Sequence, residues 1–297
     1  MNEKIINLEK NNAVVGILSS STNNIYSNND ICVIFINAGL IHKIGPNGLY
    51  VKMARSLAID GITTFRFDFS GLGDSEISIN SLDYEKNKIS EIQLAMDCIF
   101  EKTGINRFVL SGMCTGAEDA FKAAKVDDRI MGLILIDGIY QEREFVEKIY
   151  NIALKNCAIR YYKKHIFSFK RWVKIITGKS NIVRLVLKII IYSIRGLSKK
   201  IFLKGVKHNE NVDADQFAID DWIKLLNKNI KTYLIFSEGS PMIDVFNLTI
   251  AKQLKDYTNN HNLQINVIKD VDHNFTPIWA QELSTTLICK WIKINLN

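Results

Sequence analysis

Cys114 sits in Gly112-Met113-Cys114-Thr115-Gly116, between an apolar run, Phe108-Val109-Leu110, and a helix-patterned segment, Ala117 to Lys125. A thiol at a strand–turn–helix junction has the placement of a nucleophile elbow, with sulfur where serine oxygen is usual. Such a turn strains the nucleophile's backbone and brings its flanks together, so side chains two residues before and two after it would clash. Glycine stands at both places. The following helix starts beneath the thiol and favours a thiolate. His273, in Val271-Asp272-His273-Asn274-Phe275, is the candidate base. A thiol attacks an acyl carbon only as thiolate, and an imidazole within hydrogen-bond reach supplies it. The tetrahedral oxyanion that forms needs two backbone N–H donors. Thr115, just after the nucleophile, offers one. Gly39, in the loop after an earlier strand, offers the other.

These residues need a scaffold that brings distant loops together. Ala13 to Leu18, Ile31 to Asn37, Ile62 to Phe67, Arg107 to Leu110, Met131 to Ile136, Lys231 to Phe236 and Leu263 to Ile268 read as strands. Asn47 to Ile59, Tyr84 to Lys102, Ala117 to Lys125, Val245 to Tyr257 and Trp279 to Ile294 read as helices. Their alternation predicts an α/β chain with a mostly parallel, doubly wound sheet. The alternation stops between about residues 141 and 215, which are basic, helical in pattern and free of strand signals. The expected organisation is therefore a core of residues 1–140 and 216–297 with a basic helical cap, residues 141–215, inserted over the strands' C-terminal edge. Ligands bind at that edge in open α/β sheets.

Composition narrows the classes. At 297 residues and 47% hydrophobic, the chain can bury one large core. Met1 to Lys10 is charged and lacks an apolar signal region. The best candidate for a membrane span, Ile182 to Leu197, is broken by Arg184, Lys188 and Arg195. Five scattered cysteines without a C-x-x-C pair speak for a reducing cytoplasm and against a disulfide frame or metal site. Cys32, Cys98 and Cys289 read as small buried hydrophobes. The charge is segregated: Lys148 to Asn209 holds 16 of the 38 basic residues and none of the 31 acidic ones. That segment alone makes the chain basic. It is either a solvated helical surface or a face for an anionic partner.

The order of nucleophile and late histidine is that of α/β-hydrolases. Four segments carry a closer resemblance. Asn37-Ala-Gly-Leu-Ile-His-Lys-Ile-Gly-Pro-Asn47 resembles the "NAGxxHRxGP" segment of a bacterial α/β-hydrolase group. That group includes exosortase-system-associated hydrolases and serine-aminopeptidase-like proteins. Arg66-Phe-Asp-Phe-Ser-Gly-Leu-Gly-Asp-Ser75 resembles its "RfDxsGxGdS" segment, Asp272-His-Asn-Phe275 its "DHxf" segment, and the elbow its "GxCsGA" form. The resemblance implies the α/β-hydrolase fold with a cysteine nucleophile. Lys43 stands where the group has arginine. The larger departure follows the strand ending at Phe236. The group's "sEGDp" places the triad acid there, and this chain reads Ser237-Glu-Gly-Ser-Pro241. Asp244 is taken as the catalytic acid, although it could instead cap the next helix. Asp137, Glu238 and a Cys–His dyad without an acid are the alternatives. Asp74 and Asp272 read as structural, and His42 as solvated or packed.

The expected activity is hydrolysis of an ester or thioester through an acyl-Cys114 intermediate, with no cofactor and no metal. The alternatives are an acyltransferase handing the acyl group to an amine or alcohol, and a non-catalytic binding protein that kept the fold. Aromatic, aliphatic and cationic residues mix in the cap, as in Arg160-Tyr-Tyr-Lys-Lys164 and Lys170-Arg-Trp-Val-Lys174. They could line an acyl pocket or pack the cap's own core. An acyl carrier protein, a CoA thioester or a membrane surface touched peripherally would each suit a positive rim. No recognised motif supports nucleic-acid binding.

Overall fold

Ile31-Cys-Val-Ile-Phe-Ile36 is apolar at every position because both faces of its strand are covered. Cys32, Ile34 and Ile36 enter one core; Ile31, Val33 and Phe35 enter the other. The same alternation divides Leu133 and Leu135 from Ile134 and Ile136, and Leu234 and Phe236 from Tyr233 and Ile235. The computed structural model describes residues 1–8, 14–22, 30–77, 84–141, 143–166, 216–259 and 262–296.

Within them lies an eight-stranded sheet. Its strands are β1 (Asn2–Asn7), β2 (Val15–Ser20), β3 (Ile31–Ile36), β4 (Thr63–Phe67), β5 (Arg107–Met113), β6 (Ile130–Ile136), β7 (Lys231–Ser237) and β8 (Leu263–Ile268), in spatial order 1-2-4-3-5-6-7-8. β1 and β2 run antiparallel, as do β2 and β4; every other neighbouring pair is parallel. The described helices are α1 (Leu49–Ile59), α2 (Tyr84–Thr103), α3 (Thr115–Val126), α4 (Arg143–Ile166), α5 (Gln216–Asn227), α6 (Met242–Thr249), α7 (Lys255–Asn259) and α8 (Ile278–Asn295). Apolar residues of α1 and α8 close one face of the sheet; those of α2, α3 and α5 close the other.

Two elements depart from the sequence reading. The charged N-terminal segment forms the edge strand β1, which alternates rather than running apolar: Ile5 is exposed and Ile6 buried. Its Glu3 also serves the core, accepting 2.9 Å from Arg66 Nη2, a guanidinium otherwise sealed in the interior. The single helix expected from Val245 to Tyr257 is instead α6 and α7, separated by turns. Of the proposed cap, residues 167–215 lie outside the described residues.

Candidate active site

The parallel strands β3, β5, β6, β7 and β8 all end at one edge, and each delivers a loop there. The backbone ladder continues one step past the last strand pairs. Cys114 N donates to Ile136 O at 2.9 Å, Asp137 N to Ile235 O at 2.8 Å, and Glu238 N to Ile268 O at 2.9 Å. Cys114 and Asp137 thus sit on adjacent strand ends, one residue beyond the register pair Met113–Ile136.

Cys114 adopts φ 56°, ψ −120°, a backbone disfavoured for any residue with a side chain, and its side chain is exposed. Three glycines make the turn feasible. A Cβ on Gly112 would stand 2.1 Å from Gly116 O, and one on Gly116 would stand 2.4 Å from Asn37 O. One on Gly138 would stand 2.3 Å from Cys114 O. The packing leaves the thiol at the N-cap of α3, where the first-turn amides have no intrahelical partner. Gly39, at φ 61°, lies alongside: a Cβ there would be 3.7 Å from Thr115 Oγ1. The two expected oxyanion donors therefore belong to loops that meet.

The Cys114 side chain lies near enough to His273 to raise the imidazole's basicity. Its Nδ1 lies 3.2 Å from Asp137 Oδ2. Asp137, not Asp244, holds the histidine. Asp137 is fully buried at the end of β6. Its Oδ1 accepts from Ser237 N at 2.7 Å and its Oδ2 from Ser237 Oγ at 2.5 Å. Burial pushes this carboxyl upward, while the bonds from His273 and Ser237 oppose that shift. The histidine responds. The hydrogen bond to Asp137, then the nearby Cys114 side chain, raises His273 to about 10 against a smaller opposing effect of burial.

Asp244 is turned to another task. Its two oxygens take Arg160 Nη1 at 2.9 and 2.8 Å. Arg160, on α4, also donates to Glu238 O at 3.2 and 3.0 Å and to Ser240 O at 3.2 Å. The loop after β7, where the resemblance places the acid, is thus occupied by an arginine of α4. Ser240 there is fully buried, its Oγ accepting from Met242 N at 3.2 Å. Glu238 Oε2 accepts from Asp270 N at 2.8 Å, so that carboxylate serves the turn before the histidine loop. Asp272 Oδ1 accepts from Thr276 N at 2.9 Å and its Oδ2 from Thr276 Oγ1 at 2.6 Å, bracing the turn that carries His273.

Sequence reasoning missed the buried network behind Gly39. Asn37 Nδ2 donates to Asp68 Oδ1 at 2.9 Å and to Ile41 O at 2.9 Å, and Asn37 Oδ1 accepts from Phe69 N at 3.0 Å. Lys43 is buried; its Nζ donates to Asp68 Oδ2 at 2.8 Å and contacts Asp74 Oδ2. His42 Nε2 lies 3.1 Å from the same Asp74 oxygen. His42, Asp68 and Asp74 have metal-ligand types within reach of one another, the one such group among the described residues. The Lys43 ammonium already supplies the positive charge between the two carboxylates, so the cluster fits a structural ion-pair network better than a cation. The five polar residues lay within the quoted motifs. Their types and spacing gave no sign that they would converge.

No known family profile matches the chain, and no curated protein is significantly similar to it. Solved structures match over nearly its full length. A serine hydrolase homologue from Coxiella burnetii aligns at 11% identity with a TM-score of 0.51, covering 97% of this chain and 96% of that one. A proline iminopeptidase-related protein from Thermus thermophilus aligns at 13% identity and 0.56, covering 100% and 99%. The fold is that of the α/β-hydrolases. A dienelactone hydrolase from Anabaena variabilis shares it at 14% identity and 0.54, covering 100% and 99%. At such identity the likeness is one of architecture. In α/β-hydrolase terms, Cys114 follows the elbow strand, Asp137 the strand after it, and His273 the last strand. Among the described residues, no helix is long and apolar enough to cross a membrane.

Proposed function

We propose that this protein hydrolyses an acyl ester or thioester through an acyl-Cys114 intermediate, with His273 as acid and base and Asp137 as the acid member. The observation that carries the reading is the His273–Asp137 pair set beside Cys114 at a strained, exposed elbow. The Cys114 thiolate attacks the acyl carbon, and the carbonyl electrons move to oxygen. The Gly39 and Thr115 amides hold that oxyanion. As the tetrahedral species collapses, the imidazolium of His273 gives its proton to the departing oxygen or sulfur. Neutral His273 then takes a proton from water. The hydroxide equivalent attacks the thioester, and Cys114 leaves as thiolate while the acid is released.

An activated ester or thioester suits this site better than an amide, because a thiolate must expel the leaving group from the tetrahedral species. The basic stretch Lys148 to Asn209 fits an acyl group delivered on an anionic carrier, such as CoA or a phosphopantetheinyl protein. We retain residues 141–215 as a proposed cap. Initial rates on a panel of acyl-CoA thioesters and matched amides test the reading. The wild-type chain should turn over a thioester, Cys114→Ala should lose that turnover, and amides should not react. Undiminished thioester hydrolysis by Cys114→Ala would refute it.

A further inference from the structure

Ser237 ends β7 with no exposed surface, yet both of its donors point at one carboxylate. Its amide holds Asp137 Oδ1 at 2.7 Å and its hydroxyl holds Asp137 Oδ2 at 2.5 Å. Oδ2 is the oxygen that faces His273 Nδ1. We propose that Ser237 is a positioning residue for the reaction: by gripping both oxygens it fixes the carboxylate's rotation and keeps it charged beneath the imidazole. This rests on the acyl-cysteine reading above and deepens it.

The geometry explains how an acid at the end of β6 can serve. A carboxylate with no exposed surface resists ionisation unless it accepts enough hydrogen bonds. His273 supplies one bond; Ser237 supplies two from the next strand. Without the hydroxyl, Oδ2 keeps only the histidine and Oδ1 only the residue-237 amide, so the buried charge loses one of its three donors. The resemblance places an aspartate three residues further on, at position 240. Here Ser240 caps Met242 N instead, and Arg160 covers the loop. Among the described residues, the titratable and charged groups nearest the pair come from the elbow and α4. Cys114 meets His273 from the elbow, Cys157 lies near Asp137 on α4, and Arg160 is engaged with Asp244.

The test compares wild type with Ser237→Ala and Ser237→Thr in the full chain. The imidazole Cε1–H signal of His273, assigned with a His273→Ala variant, is followed by NMR as pH rises. Circular dichroism confirms folding of each variant. In Ser237→Ala the midpoint should fall by about one pH unit, since a hydrogen bond to a charged group carries roughly that weight. The pH profile of Cys114 alkylation by iodoacetamide should shift downward by the same unit. Where Ser237→Thr folds, its hydroxyl should restore both. A folded Ser237→Ala with an unmoved His273 midpoint would overturn the proposal, because a merely structural serine would change stability without changing the titration. Wild-type Cys114 labelled no faster than Cys157 would strike the functional reading beneath it instead, which keeps the two failures apart.

Discussion

Asp137 and Asp244 show how far one side chain's surroundings decide its use. Asp137 follows β6 and Asp244 lies on α6; one sees an imidazole and the other a guanidinium. Asp137→Asn should lower turnover by roughly a hundred- to ten-thousand-fold, as expected when the imidazole loses its orienting carboxylate. Asp244→Ala should leave the His273 titration where it is and cost about 1–3 kcal/mol of stability through the loss of Arg160's partner. Titration and denaturant melts of the two variants separate these outcomes. His273 also makes a stability prediction with a definite sign. Folding raises it from 6.5 to about 10, so the folded state holds a proton that the unfolded state has released between those values. Its contribution is complete below pH 6.5 and is lost as pH climbs through about 10. Urea melts should show wild type losing stability across that window, with a flatter profile in His273→Ala.

Among the elements, the elbow is the most tightly constrained. Gly116→Ala drives a methyl into the carbonyls of Asn37 and Ile36, at 2.4 and 2.9 Å, both backbone atoms of the β3 end that cannot swing aside. It should destabilise the chain by about 1–3 kcal/mol and slow labelling of Cys114, because α3 must shift to make room. The loop bearing Gly39 depends on charge rather than close packing. Lys43→Met strands the Asp68 carboxylate in the interior and should cost about 3–5 kcal/mol in chemical denaturation. The elbow was legible from sequence because its constraint is local: glycines two residues either side of a cysteine, after an apolar run. The Lys43–Asp68 pair was not, because 25 residues separate its members and nothing in either segment announces burial. β1 escaped notice for a related reason, since an edge strand with one covered face does not give the continuous apolar signal that betrayed β3.

Across the molecule, the strand–helix alternation predicted the parallel sheet, and the edge where its strands end is where the residues with chemistry gather. Sequence order alone also brought Cys114, His273, Gly39 and Thr115 together as candidates. It ranked Asp244 ahead of Asp137, whereas Asp137 is the carboxylate that meets His273, because that choice turns on side-chain direction at the end of β6 and on α6. An arginine from a helix some 80 residues away settles one of them. The central claim, that Cys114 takes the acyl group, is tested most directly by intact mass. Wild type is mixed with a short-chain acyl thioester, quenched in acid within the first turnover and digested for peptide mapping. A single added acyl mass on the peptide containing Cys114, absent from Cys114→Ala, is the predicted result. Turnover with no acyl group on residue 114, or an adduct on another thiol, would contradict it.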